Sequence, residues 1–172
     1  RTEDGEPDVV RRTVAEVTAI VNAREKYFRE KGIDTVETYR SRRTPGDPSG
    51  IDDGYGDVFL VVDGWTTLRS EFDDVEPLIQ ALAGRGLTFG LHVMLASGRW
   101  MDLRSQMKDV VGTRLELRLG DSLDSEVDRK VAQTVPANRP GRGLMPSRHH
   151  MLGALPRIDG DPRPGTLGDG VG

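Results

Sequence analysis

Apolar residues recur through the first thirty positions at the spacing that one face of an α-helix requires. Val10, Val14, Val17, Val21 and Phe28 fall three, four and seven residues apart. That predicts an amphipathic helix from Asp8, as its N-cap, to Lys31, ended by Gly32 at the C′ position. Asp34-Thr35-Val36-Glu37 reads as a second cap with its reciprocal glutamate, opening a short polar helix to about Arg43. Residues 44–56, TPGDPSGIDDGYG, are turn chemistry throughout and exclude a regular element.

The period then shortens. Residues 57–63, DVFLVVD, are apolar on both alternating sets of positions, the pattern of a strand covered on both sides, as parallel strands usually are. Val75, Leu78, Ile79 and Leu82 stripe a helix over about 73–84, stopped by Gly84-Arg85-Gly86. LTFGLHVMLAS, residues 87–97, repeats the doubly buried strand pattern, and a short helix follows over Trp100–Met107. TRLELRL, residues 113–119, alternates strictly and suggests a strand nearer the sheet edge. Asp121 or Ser122 can cap a short helix to about Ala132. VPANRPGRG then leads into a hairpin that pairs Leu144-Met145 with HHMLGAL. The predicted domain covers residues 1–156, and 157–172 form a Gly/Pro-rich linker or tail.

Strands alternating with helices define the α/β class, with a mostly parallel sheet, helices on both faces and a C-terminal β-hairpin. Ligands of such sheets bind at the carboxyl ends of the strands. Asp63 ends one predicted strand and Ser97-Gly98-Arg99 the other. If the strands are neighbours, a carboxylate suited to a metal ion and a cation face one crevice. Many nucleotide hydrolases end a strand in an aspartate that holds magnesium and follow it with a glutamate as base. Here Gly64 follows. Either this is not a nucleotide site, or it is one without its base.

Composition narrows the partners. The 172 residues suffice for one domain with a core, while 30% charged against 35% apolar residues assigns much of the chain to surface and loop. A net charge of −4 with scattered arginines argues against nucleic acid, whose phosphates demand a basic patch. Arg11-Arg12 and Arg40-Arg42-Arg43 read as solvated faces or protein contacts. Absence of Cys excludes a disulfide scaffold and a thiolate zinc site. His149-His150 lacks the companions of a metal site, and His92 reads as a satisfied strand histidine. Asp52-Asp53 and Asp73-Asp74 read as solvated charges, and Trp65 and Trp100 as rings across the sheet rim. The sequence has no signal peptide and no stretch approaching the roughly 20 apolar residues of a membrane span, which fits the cytoplasm. It starts without Met and reads as part of a longer chain.

GDVFLVVDGW, EPLIQALAGRGLTFGLHVMLASGRW and RLELRLGDSLDSEVDRKVAQTVPANRPGRGLM resemble the FtsK/SpoIIIE family of P-loop ATPases, over roughly residues 8–160. DSEVDRKVA with RPGRGL, within 113–146, is the most specific part and resembles the EccC motors of type VII (ESX) secretion more than DNA translocases. The resemblance implies a RecA/FtsK-like P-loop NTPase fold, incomplete at its N-terminus, in a second or third ATPase domain of such a motor. It implies ATP and Mg²⁺ as ligands. Asp63 matches the Walker B aspartate, which orients water on Mg²⁺. Ser97 and Arg99 match the polar strand end that senses the γ-phosphate, and Arg142 a hairpin-loop arginine near a nucleotide or a domain interface. No catalytic residue is assigned, because Gly64 replaces the base, whose loss typically slows turnover by about 10²–10⁴.

G-x-x-x-x-G-K-[ST] is missing from the chain, so ATP and Mg²⁺ binding by these residues alone is expected to be weak or absent. The implied function is a nucleotide-binding, hydrolysis-poor regulatory module of a secretion motor exporting small Esx-type proteins. The implied partners are other ATPase domains of the motor, in a hexameric ring, the membrane components of the ESX complex, and the Esx substrates. The implied location is cytoplasmic, at the inner membrane. Two alternatives stand beside it: an FtsK-type DNA translocase domain, and an α/β interaction domain that binds no nucleotide.

Overall fold

The computed structural model describes residues 6–46 and 51–153, with side chains from Val9 onward. The chain divides into two compact units, residues 1–112 and 113–172.

In the first unit, α1 spans Glu6–Lys31 and buries Val14, Val17, Val21 and Phe28, the stripe expected from the sequence. It begins two residues before Asp8, which therefore lies inside the first turn and is not the cap. Gly32, at φ 60°, ends it. Helix α2, Val36–Arg42, is capped by Thr35, whose hydroxyl accepts from the Thr38 amide at 3.2 Å. The predicted Asp34–Glu37 reciprocity is thus replaced by Thr35–Thr38.

Strand β1, Val58–Val62, runs parallel to β2, Leu91–Leu95, with Val58 opposite Leu91 and Val62 opposite Leu95. The crossover between them carries two helices, α3 (Trp65–Glu71) and α4 (Glu76–Arg85), where periodicity predicts only one. Helix α3 escaped because Trp65 is its only buried residue, so it shows no stripe. The predicted strand over 87–97 is shortened by a 3-10 turn at Gly86–Phe89. Gly90 follows it at φ 73°, where a Cβ would lie 2.8 Å from Val36 Cγ2, so both conformation and space require glycine. The helix predicted at Trp100–Met107 divides into a 3-10 turn, Trp100–Asp102, and α5, Ser105–Val110.

One face of the β1–β2 pair carries the core. Leu60, Val62 and Leu91 meet Val14, Val17 and Val21 of α1, Ile79 and Leu82 of α4, Met107 of α5 and Trp65. Each such side chain contributes about 1.5–3 kcal/mol on burial. Across the sheet, Phe59, Val61 and Met94 are 58%, 63% and 55% exposed. Double burial, read from the apolar runs, therefore holds for one face only among the described residues. The α/β class itself stands.

The second unit is a three-stranded antiparallel sheet in the order β3 (Glu116–Leu117), β4 (Arg142–Leu144), β5 (His150–Leu152). The expected hairpin is present, with Leu144 opposite His150. The strand expected over 113–119 is two residues long and pairs with β4, not with the parallel strands. Its phase is inverted: Glu116 is buried while Leu115 and Leu117 are exposed. The Glu116 carboxylate is satisfied inside by the Ser125 hydroxyl at 2.7 Å and the Glu126 amide at 3.2 Å. Gly143 packs so closely on β3 that a Cβ would collide with the Glu116 carbonyl oxygen. The helix predicted from Asp121 to Ala132 divides into a 3-10 turn, Ser122–Asp124, and α6, Arg129–Ala132, each with its own aspartate cap, Asp121 and Asp128. Ala132, Val135 and Leu144 form the small core. The predicted tail lies outside the described residues.

Candidate functional site

Asp63 is the first residue beyond β1, and its side chain is exposed. The two strand ends are stitched together. Ala96 N–H donates to the Val62 carbonyl at 2.8 Å, and Trp65 N–H donates to the Ala96 carbonyl at 2.9 Å. Asp63 and Ser97 therefore stand just past the carboxyl ends of adjacent parallel strands, and the neighbour condition set by the sequence is met.

Gly64 makes the turn from β1 into α3 at φ 81°, ψ 53°. No heavy atom lies within 4 Å of where its Cβ would stand. What glycine relieves here is backbone strain and not crowding: a glutamate would have to adopt the left-handed region, at about 1–2 kcal/mol. The turn is fixed on its far side by Trp65, which is fully buried in the core. Trp65 is thus a core residue and not a rim ring, and Trp100 packs partly buried against the same core.

On the β2 side, the Ser97 hydroxyl donates to the Arg99 carbonyl at 3.2 Å. The exposed Arg99 guanidinium donates through Nη2 to Asp102 Oδ1 at 3.0 Å. Asp102 Oδ2 accepts from the Thr66 hydroxyl at 2.8 Å, and Arg69 Nη1 donates to the Asp102 carbonyl at 2.7 Å. Arg69 also faces the buried Glu76 carboxylate, which Arg104 approaches at 3.2 Å. The Thr66 hydroxyl, with Arg99 next, holds the Asp102 carboxyl below the usual carboxylate range in spite of its burial. Thr66, Arg69 and Asp102 were not anticipated from the sequence. The Arg99–Asp102 spacing of three was visible there, whereas the Thr66–Asp102 bond spans 36 residues and has no local signal.

Arg142 belongs to the second unit. It opens β4 with its side chain exposed, and its backbone amide donates to the Arg139 carbonyl at 3.3 Å. The structure thus brings Asp63, Ser97 and Arg99 to two adjacent strand ends and describes Arg142 in another sheet.

A second polar centre precedes β1. Arg24 falls on the apolar stripe of α1 and is 1% exposed. It grips Asp53 through Nε at 2.6 Å and Nη2 at 3.0 Å, and Nη1 donates to the Phe89 carbonyl at 2.9 Å. The Tyr39 hydroxyl donates to the same carboxylate at 2.5 Å. Asp53, read from the sequence as a solvated charge, is therefore a partly buried anchor tying α1, α2 and the loop before β1. Asp52 is paired as well, with Arg43 at 3.0 Å. Burial and the Asp53 bond push the Tyr39 hydroxyl up to about 12. His92 also departs from expectation. Its ring stacks on Phe59 at 4.7 Å on the open sheet face, and its buried Nε2 makes no hydrogen bond among the described residues.

Chemically, the strand ends offer the exposed carboxylate of Asp63 and the exposed guanidinium of Arg99. Among the described residues no group of three or more acidic or histidine side chains could hold a metal ion. Asp63 fits the place of a single ligand acting through metal-bound water, and Arg99 that of a phosphate partner.

Residues 4–160 match the model of the FtsK/SpoIIIE family. The chain is 54% identical over 164 residues to the ESX secretion system protein EccC of Thermomonospora curvata, which covers 95% of this chain and 12% of that protein. It is 43% identical over 155 residues to the ESX-1 secretion system protein EccCb1 of Mycolicibacterium smegmatis, covering 90% of this chain and 26% of that one. In three dimensions it is similar to Thermomonospora curvata EccC (ATPases 2 and 3) in complex with a signal sequence peptide. The TM-score is 0.90 at 53% identity, over 97% of this chain and 30% of that one. The chain thus spans between about an eighth and a third of these proteins. On its sequence, its fold and the strand-end arrangement together, it belongs to the FtsK/SpoIIIE family.

Proposed function

We propose that the chain supplies the carboxylate–cation side of a nucleotide site in a type VII secretion motor, within an ATPase domain that binds Mg²⁺–ATP and hydrolyses it slowly. The observation that carries this reading is the placement of Asp63 and Ser97–Arg99 at adjacent strand ends, with Gly64 in a left-handed turn where a base would stand. Asp63 would hold the metal's water shell and Arg99 the terminal phosphate. Bound magnesium would draw charge from the β- and γ-phosphates. With no carboxylate after Asp63 to take a proton from water, the site favours occupancy over turnover.

The phosphate cradle would come from elsewhere in the same domain. The open sheet face supports this, because parallel strands bury both faces and Phe59, Val61 and Met94 are uncovered here. Such a domain would act with the other ATPase domains of its motor in a ring, on the cytoplasmic side of the membrane components. Its cargo would be small secreted proteins that carry a signal segment. A DNA translocase is disfavoured, since Arg11, Arg40 and Arg43 are occupied by Asp74, Asp57 and Asp52.

Calorimetric titration of Mg²⁺–ATP into the full-length protein, with turnover measured in parallel, tests the proposal. Asp63→Ala should abolish binding at this site and, with it, the site's slow turnover, leaving the total turnover of the full-length protein little changed. Turnover at ~1–100 s⁻¹, the range of efficient phosphoryl-transfer enzymes such as kinases, attributable to this site, contradicts the proposal. Absence of binding in the wild type favours an interaction domain without nucleotide.

A further inference from the structure

Arg99 stands on the loop after β2 and Thr66 in the first turn of α3, after β1, and both hold the carboxylate of Asp102. The two partners of the Arg99–Asp102 pair are unequally fixed. Asp102 has a side chain 12% exposed, one oxygen on Thr66, and its carbonyl held by Arg69. Arg99 has a side chain 57% exposed and, among the described residues, one side-chain hydrogen bond, through Nη2 alone. Asp102 is therefore the stationary member and Arg99 the one that can leave. An exposed pair of this kind is weak, whereas a polyphosphate offers an arginine two parallel charge-assisted hydrogen bonds and more charge.

We propose that Asp102 is a positioning residue: it holds Arg99 in reserve beside the strand ends and competes for it with the terminal phosphate of a bound nucleotide. The inference rests on the nucleotide reading above and deepens it. It assigns discrimination of ATP from ADP to the exchange of Arg99 between two anions. Because Thr66 lies three residues beyond Asp63, the same carboxylate ties the helix that follows the metal-side loop to the cation. Release of Arg99 leaves the Thr66 tie intact, so α3 stays in place while the guanidinium moves.

Two measurements on the full-length protein test this. The first compares affinities for fluorescent ATP and ADP analogues in the wild type, Asp102→Asn, Arg99→Gln and the double variant. Asp102→Asn keeps an oxygen for Thr66 and removes the competing charge. It should tighten ATP by roughly 1.5-fold to fivefold, the span of an exposed ion pair, and ADP by less. In the Arg99→Gln background it should change neither. Equal tightening in that background would assign the effect to general charge and overturn the proposal. The second reads the contact without nucleotide, by arginine-selective labelling with phenylglyoxal located by mass spectrometry. Arg99 should react several-fold faster in Asp102→Asn than in the wild type. Equal rates overturn the contact itself, whatever the nucleotide does. Faster labelling without any ATP binding in the wild type overturns the nucleotide reading, and the competition falls with it. Arg99→Lys covers the case of an unstable Asp102 variant: charge without the fork should bind ATP at intermediate affinity, and affinity equal to the wild type counts against the proposal.

Discussion

A single arginine on an apolar stripe shows how much one residue decides. Arg24 shares the buried stripe of α1 with Val14, Val17 and Val21, and its charge is tolerable there because Asp53 meets it with two hydrogen bonds and the Phe89 and Tyr55 carbonyls take more. Removing one partner strands the other, so Asp53→Asn or Arg24→Met should destabilise by about 3–5 kcal/mol in urea unfolding. For Asp53, burial raises the carboxyl, but Arg24 and Tyr39 outweigh it and the net shift is downward. Its stabilisation is therefore present above the unfolded carboxyl value, about pH 4, and lost as pH falls through the folded one. Tyr39 has the opposite sign. Its pKa is raised from 10.0 to about 12, so its contribution is complete below pH 10 and disappears as pH climbs to about 12. Thermal melts across that alkaline window should fall less steeply for Tyr39→Phe than for the wild type. The periodicity of α1 did not single out Arg24, and its partner, 29 residues on, has no local signal.

Elements follow local pattern until a partner overrides it. Helix α1 and the β4–β5 hairpin match their periodicities, because each is specified by neighbours a few residues away. Helix α3 does not, since one buried tryptophan carries no period. Strand β3 inverts its expected phase because Ser125 and the Glu126 amide make a buried carboxylate acceptable, leaving the leucines outside. Gly143 is the element's tightest point. Gly143→Ala should part β3 from β4 and cost about 1–3 kcal/mol or more, seen as early loss of amide protection in residues 116–118 and 142–144. At Gly64 the backbone sets a different limit. Gly64→Glu should lower stability by about 1–2 kcal/mol without restoring turnover, because a left-handed residue presents its side chain differently from the next residue of an extended strand. Rapid turnover in that variant would show the turn to be adaptable.

At the scale of the molecule, one face of the parallel strand pair is open among the described residues. Val61 is 63% exposed, so Val61→Asn in the isolated chain should change stability by no more than about 0.5 kcal/mol. In the full-length protein the same change should cost about 1–3 kcal/mol, if the remainder of the domain covers that face. Equal small effects in both would leave the face as solvent-exposed surface and remove one support of the nucleotide reading. Among the described residues no helix is long and apolar enough to cross a membrane.

The sequence by itself determined the α/β class, the long first helix, the two apolar strands, the C-terminal hairpin and the aspartate followed by glycine. All are written in spacings of two to four residues or in a short motif, which local chemistry reads directly. Only the tertiary structure decided that the two strands are parallel neighbours, that Asp53 is an anchor, that Glu116 turns inward and that Asp102 holds Arg99. Those outcomes depend on pairs 3 to 36 residues apart. The energy of a buried charge or a shared carboxylate belongs to the meeting of two side chains, and no single stretch of sequence contains it.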